Sequence, residues 1–196
     1  MADGAKGAGR KPRADAQRNR EHLLAAAKTA FAEKGATVSL EEIARAAGVG
    51  IGTLYRHFPT RDALVEQVYR SETEQLATAA ERLAAELPPV EALRQWMRLF
   101  VGYLATKHIM ADALGTLVGG AADLYAASGT MIKTTITTLA RRAAESGAIR
   151  LDIDPLDLLR AIGGITYIAA EPGWEENARR LVDILIAGMQ APPPKA

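Results

Sequence analysis

Apolar residues recur every three or four positions, almost without interruption, across residues 15–189. That period lays them along one stripe of a helix, whereas strands need strict alternation, which is nearly absent here. The expected fold class is all-α, with no internal repeat. Caps, glycines and prolines divide the period into segments. Leu24, Ala27 and Phe31 share one face of a helix over about 15–34, which Gly35 can end. Ser39 and Glu42 form the S-x-x-E capping box of a second helix with Leu40, Ile43, Ala44 and Ala47 as its apolar residues. Gly48-Val49-Gly50 breaks it, and a third short helix over 51–58 stops at Pro59. Thr60 is an N-cap for a long fourth helix carrying Leu64, Val68, Leu76 and Leu83. Pro88-Pro89 leads into a fifth over about 90–107, and Gly115, Gly119 and Gly120 make 108–121 less regular. Further helices are expected over about 124–145, over 155–168 behind an Asp154 cap with Pro155 at its first position, and over 174–189 after an Glu171-Pro172-Gly173 turn.

Composition closes off several function classes. With 196 residues, 48% hydrophobic and 24% charged, the chain can bury a globular core. It has no cysteine, which excludes disulfides, cysteine-based zinc fingers, iron–sulfur clusters and thiol nucleophiles. No uncharged apolar run reaches the roughly 18 residues of a membrane helix. The longest candidate, 161–170, is too short, so no membrane partner is expected. Residues 1–20 are polar and basic rather than a secretory signal, and a cytoplasmic location is expected. Charge is uneven: residues 1–70 hold 12 Lys and Arg against 8 Asp and Glu, and residues 71–196 hold 12 against 15. Lys6, Arg10, Lys11, Arg13, Arg18 and Arg20 carry the excess; such a segment either meets a polyanion or serves solubility alone.

The informative constellation is the helix–glycine turn–helix over 40–57. It has the layout of a DNA-binding helix-turn-helix, and equally of a helical hairpin whose polar face sees only water. With Leu54 and Phe58 inward on the third helix, 100° per residue turns Gly52, Thr53 and Arg56 outward and puts Tyr55 and His57 on the flanks. Gly52 allows close approach to a duplex, and Thr53, Tyr55 and His57 can donate to phosphate oxygens. Arg56 is long enough to pair bidentately with a guanine edge.

The stretch from Val38 to Leu64, with I-A-x-x-A-G-V at 43–49 followed by G-x-G-T-L-Y-x-H-F at 50–58, resembles the DNA-binding domain of the TetR (tetracycline-repressor) family of bacterial regulators. The first helix, with Leu23-Leu24-Ala25-Ala26-Ala27 and Phe31 before Lys34-Gly35, is similar to the family's as well, so the resemblance covers about 18–70. It implies phosphate contacts from Thr53, Tyr55 and His57, a backbone contact from the capping Ser39, and DNA contacts from Arg45 and from Arg61, the basic residue opening the fourth helix. Gly50 departs from the more frequent Ser or Thr, so a backbone N–H would stand in for one hydroxyl.

The resemblance further implies a three-helix DNA-binding domain followed by a helical bundle with an apolar cavity, and a dimer made by the last two helices. The expected divisions are a flexible basic arm at 1–14, the DNA-binding domain at 15–60, a ligand-binding and dimerisation domain at 61–190, and a disordered tail at 191–196. Leu158, Ile162, Ile165, Leu181, Leu185 and Met189 are expected at the dimer interface; intramolecular packing is the other reading. Leu159 and the small pair Gly163-Gly164 share the first of these helices. Trp96, Phe100, Tyr103, His108, Met110, Leu114, Leu117, Tyr125 and Met131 come from segments that could converge on a ligand, and equally from an ordinary core. His108 is either a ligand contact or a solvated loop residue.

The glycines at 48, 50 and 52 do not make a nucleotide loop, since G-x-G-x-x-G would need glycine at Thr53 and a preceding strand. No hydrolase or Walker motif occurs, and His22, His57 and His108 are too far apart in sequence to pair on a metal. No catalytic residue, metal or cofactor is expected. The expected function is a homodimeric repressor that binds a palindromic double-stranded operator and responds to an unidentified small apolar effector. The alternatives are a constitutive DNA-coating protein and a helical apolar-ligand carrier or small enzyme.

Overall fold

The computed structural model describes residues 10–168 and 173–190, with side chains for 14–165 and 173–190. The arm up to residue 9, Glu171-Pro172 of the expected turn, and the tail at 191–196 lie outside the described residues. Regular structure among the described residues is helical, apart from one antiparallel bridge between Ile149 and Gln190. The helices are α1 (Arg10–Lys34), α2 (Leu40–Ala46), α3 (Ile51–His57), α4 (Arg61–Glu86) and α5 (Pro89–Ile109). They continue as α6 (Ala111–Gly115), α7 (Ala122–Glu145), α8 (Pro155–Ile168) and α9 (Trp174–Met189), with a 3₁₀ turn at Gly35–Thr37. Helix α1 starts at Arg10 rather than 15, which shortens the expected arm; Pro12 falls within its first turn, where its missing N–H removes no helical hydrogen bond.

The chain divides into two compact units, one of residues up to 71 with 109–121, the other of 72–108 with 122 onward. This differs from the expected division at residue 60. In the first unit α1 packs on α2, and α2 on α3. Their core is Leu23, Phe31, Ile43, Leu54 and Phe58, and it is completed by Leu64, Val65 and Val68 of the first turns of α4. Helices α1 to α3 alone, two of them only seven residues long, have too little apolar surface, and these turns supply the rest.

The second unit is built on α5, whose Leu93, Trp96, Met97, Phe100 and Val101 are buried, and on α7, which packs on α8 as α8 packs on α9. The Trp96 indole N–H donates to the Leu76 carbonyl at 2.9 Å, so its polar edge is satisfied inside. Asp183 of α9 accepts from Arg98 at 2.7 Å and Arg94 at 3.1 Å. The Arg98 guanidinium, with Arg94 behind it, holds the Asp183 carboxyl below its ordinary range.

Candidate nucleic-acid interface

The first unit positions α3 through local chemistry. The Ser39 hydroxyl accepts the Glu42 amide at 3.1 Å, and the Glu42 carboxylate accepts the Ser39 amide at 2.9 Å, completing the capping box. Lys34 Nζ lies 2.5 Å from the same carboxylate. The Lys34 bond first, then the Ser39 amide and hydroxyl, lower the Glu42 carboxyl to about 2. At the other end of α2, Gly48 takes φ +70°. The Val49 amide then reaches the Ala44 carbonyl at 3.0 Å and the Gly48 amide reaches Arg45 at 3.1 Å, a Schellman ending that turns the chain into α3. Gly50 caps α3 without a side-chain hydrogen bond.

Leu54 and Phe58 are buried, at 0% and 2% exposure, which sets the inward face of α3. Gly52 and Arg56 are exposed, and Thr53 and His57 are half-buried. Tyr55 is 46% exposed and stands further out than the flank position expected of it. Arg45 and Gly50 are exposed beside this face, while Ser39 is half-buried at its cap. Arg45 and Arg56 have no ion-pair partner among the described residues. The face therefore carries two uncommitted guanidinium groups, a phenol and a small residue that lets a duplex approach.

Arg61 is placed differently from the expectation of a DNA contact. Its guanidinium donates to the Val38 carbonyl at 2.5 Å and the Ala36 carbonyl at 2.6 Å. It is a clamp inside the unit, holding the 3₁₀ turn that leads into the Ser39 cap. Arg20 of α1 is a residue that spacing did not single out, and its guanidinium lies 5.3 Å from the centre of the Phe58 ring at the end of α3.

The nine residues expected around a ligand are divided between the two units. Trp96, Phe100 and Tyr103 stack in sequence, with ring centres 6.0 and 5.8 Å apart, and are core. Met110, Leu114 and Leu117 are buried in the first unit. His108 is exposed, and Tyr125 carries Lys107 4.5 Å above its ring. Met131 lines a groove of about 670 Å³ in the second unit, whose walls are Ala77, Ala80, Ala84 and Ala85 of α4 and Thr134, Thr135, Thr138 and Leu139 of α7. The three threonine hydroxyls donate to their own helix carbonyls at 2.9–3.0 Å. Glu81 and Arg142 are its charged residues. Alanines and threonines give no signal in a sequence read for aromatic pocket residues.

Leu158 and Ile162, expected at a dimer interface, are fully buried within the chain, so they serve intramolecular packing instead. Ile165, Leu181, Leu185 and Met189 are half-buried. Ile184, not expected there, is 66% exposed, and Leu181, Ile184, Leu185 and Gly188 form one strip along α9 at helical spacing.

An all-helical chain presenting such a turn and face has the make-up of a helix-turn-helix transcriptional regulator. Comparison with known proteins narrows the class. Residues 23–68 match the family model described as bacterial regulatory proteins, tetR family, and residues 88–191 match that of the transcriptional regulator SbtR-like C-terminal domain. The TetR transcriptional regulator SCO0520 of Streptomyces coelicolor is 46% identical, with a TM-score of 0.79 over 87% of this chain and 98% of that one. A TetR transcription regulatory protein of Mycobacterium vanbaalenii is 33% identical, with a TM-score of 0.73 over 91% and 99%. The HTH-type transcriptional regulator SAR0097 of Staphylococcus aureus is 34% identical over 80 residues, 39% of this chain and 41% of that protein. The chain spans about two fifths of the length of the curated relatives it matches. The chain belongs to the TetR family, whose members are transcription factors rather than enzymes. No helix among the described residues is long and apolar enough to cross a membrane.

Proposed function

We propose that the protein is a repressor that binds a palindromic operator as a homodimer and is released by a small apolar effector. The observation that carries this reading is the outward face of α3, where exposed Gly52, Tyr55 and Arg56 are backed by buried Leu54 and Phe58. Arg56 reads a base edge, Thr53, Tyr55 and His57 hold phosphates, and Arg45 and the basic residues of α1 add sequence-independent attraction. Two copies, joined by the strip on α9 that includes Ile184, set their α3 helices into successive major grooves about 34 Å apart. The alanine- and threonine-walled groove between α4 and α7 suits an apolar effector, which acts by favouring a conformation with the wrong spacing between recognition helices.

Selection of bound sequences from a random duplex library tests this. Enrichment of an inverted repeat, bound with a steep loss of affinity as salt rises, is the expected result. Equal affinity for scrambled duplexes would instead favour a DNA-coating protein, and no binding at low salt would leave an apolar-ligand carrier.

A further inference from the structure

The groove between α4 and α7 lies wholly within the second unit, and its neutral polar groups are of one kind. Thr134, Thr135 and Thr138 each give their hydroxyl proton to the carbonyl four residues back, on Thr130, Met131 and Thr134. A hydroxyl so engaged offers a ligand lone pairs and no proton. The groove is also long. A helical rise of about 1.5 Å per residue makes the walls Ala77 to Ala85 and Met131 to Arg142 about 12 and 17 Å long, the span of an extended chain.

Its charges are uneven as well. The Arg142 guanidinium donates to the Ala84 carbonyl at 3.1 Å, three residues before α7 ends at Glu145 and two before α4 ends at Glu86. Both helices therefore run out at the same end of the groove, where their last carbonyls add partial negative charge and Arg142 is already engaged. At this end Arg82 pairs with Glu86 at 3.2 Å and Arg141 with Glu145 at 3.8 Å. Glu81 is left as an exposed carboxylate on the groove wall, with no ion-pair partner among the described residues. Lone pairs, helix C-termini and an unpaired carboxylate all favour a ligand that brings protons and positive charge. We propose that the groove takes an elongated apolar molecule bearing one protonated amine, and that Glu81 selects for it. The proposal gives the effector its chemical class and rests on the effector reading above.

Three probes with the same ten-carbon chain separate charge from apolar burial: decylamine, protonated at neutral pH, decanol and decanoate. Isothermal titration calorimetry of the full chain is expected to show decylamine binding several-fold more tightly than decanol, and decanoate most weakly. In Glu81→Gln, which keeps the size and an acceptor oxygen, decylamine falls to the level of decanol while decanol is unchanged. Glu74→Gln, which removes the same charge from α4 outside the groove, keeps the preference. Equal binding of decylamine and decanol, tightest binding of decanoate, or a preference for decylamine that survives Glu81→Gln would each overturn the amine assignment. No binding by any of the three would overturn it as well. Release of the selected duplex tests the effector reading apart. Decanol that releases the protein as well as decylamine does keeps that reading and sinks the amine. A preference for decylamine that depends on Glu81, with no release, does the reverse.

Discussion

The guanidinium of Arg61 lies 5.4 Å from the centre of the Phe31 ring, pinned there by the two carbonyls it holds. A cation stacked on a core aromatic and bonded to backbone acts first on the fold. Arg61→Ala is expected to cost about 2 kcal/mol, the loss of charged hydrogen bonds to half-buried acceptors, measured by urea denaturation. The salt dependence of DNA binding should stay as in the wild type; a slope smaller by about 1 would show that Arg61 holds a phosphate after all.

Arg56 has the opposite character, exposed and without an ion-pair partner among the described residues. Arg56→Ala should lose about 1–3 kcal/mol on the selected operator and relax preference at one base pair. Competition binding against single-base variants of the duplex reads this. Unchanged specificity would mean that another residue reads the base.

Tyr55 and Thr53 should behave as phosphate contacts. Tyr55→Phe and Thr53→Ala are expected to weaken binding to all duplexes alike, leaving the ranking of sequences intact. Repeating the library selection with each variant checks this, and a new preferred sequence would contradict the assignment.

The capping box makes an acid prediction. The Glu42 carboxyl is lowered from 4.5 to about 2 in the folded chain. Ionised Glu42 therefore supports the fold fully above about pH 4.5, and that support fades as pH falls through about 2. Urea midpoints followed down through this window should fall more steeply for the wild type than for Glu42→Gln. Parallel curves would remove Glu42 from the acid response.

Ile184 and Leu158 separate assembly from folding. Ile184→Arg, at a position 66% exposed, should leave the thermal midpoint of the subunit nearly unchanged while sedimentation shows monomers. Leu158→Ala, at 0% exposure, should instead cost about 2–5 kcal/mol of stability by opening a cavity. An Ile184→Arg protein that sediments as a dimer would place the interface elsewhere.

Where chemistry is local, the sequence was readable. Ser39 meets Glu42 because three residues separate them, and Gly48 reverses the chain because its φ is positive. The inward turn of Leu54 and Phe58 follows from four residues at 100° each. Tyr55 stands further out than that rule places it, since exposure also depends on which neighbours cover the flank.

Sequence by itself thus determined the helices other than α6, the Ser39 cap, the glycine turn and the face of α3, since each depends on hydrogen bonds or spacing within a few residues. Tertiary structure decided the rest. It spent Arg61 on carbonyls 23 and 25 residues away, and sent Met110, Leu114 and Leu117 to the first unit. It also turned Leu158 inward and Ile184 outward, and left a groove walled largely by alanines and threonines. An apolar side chain looks the same in sequence whether it meets a core, a ligand or a second subunit. The difference lies in which distant surface packs against it, and that follows only from the whole chain finding its lowest free energy together.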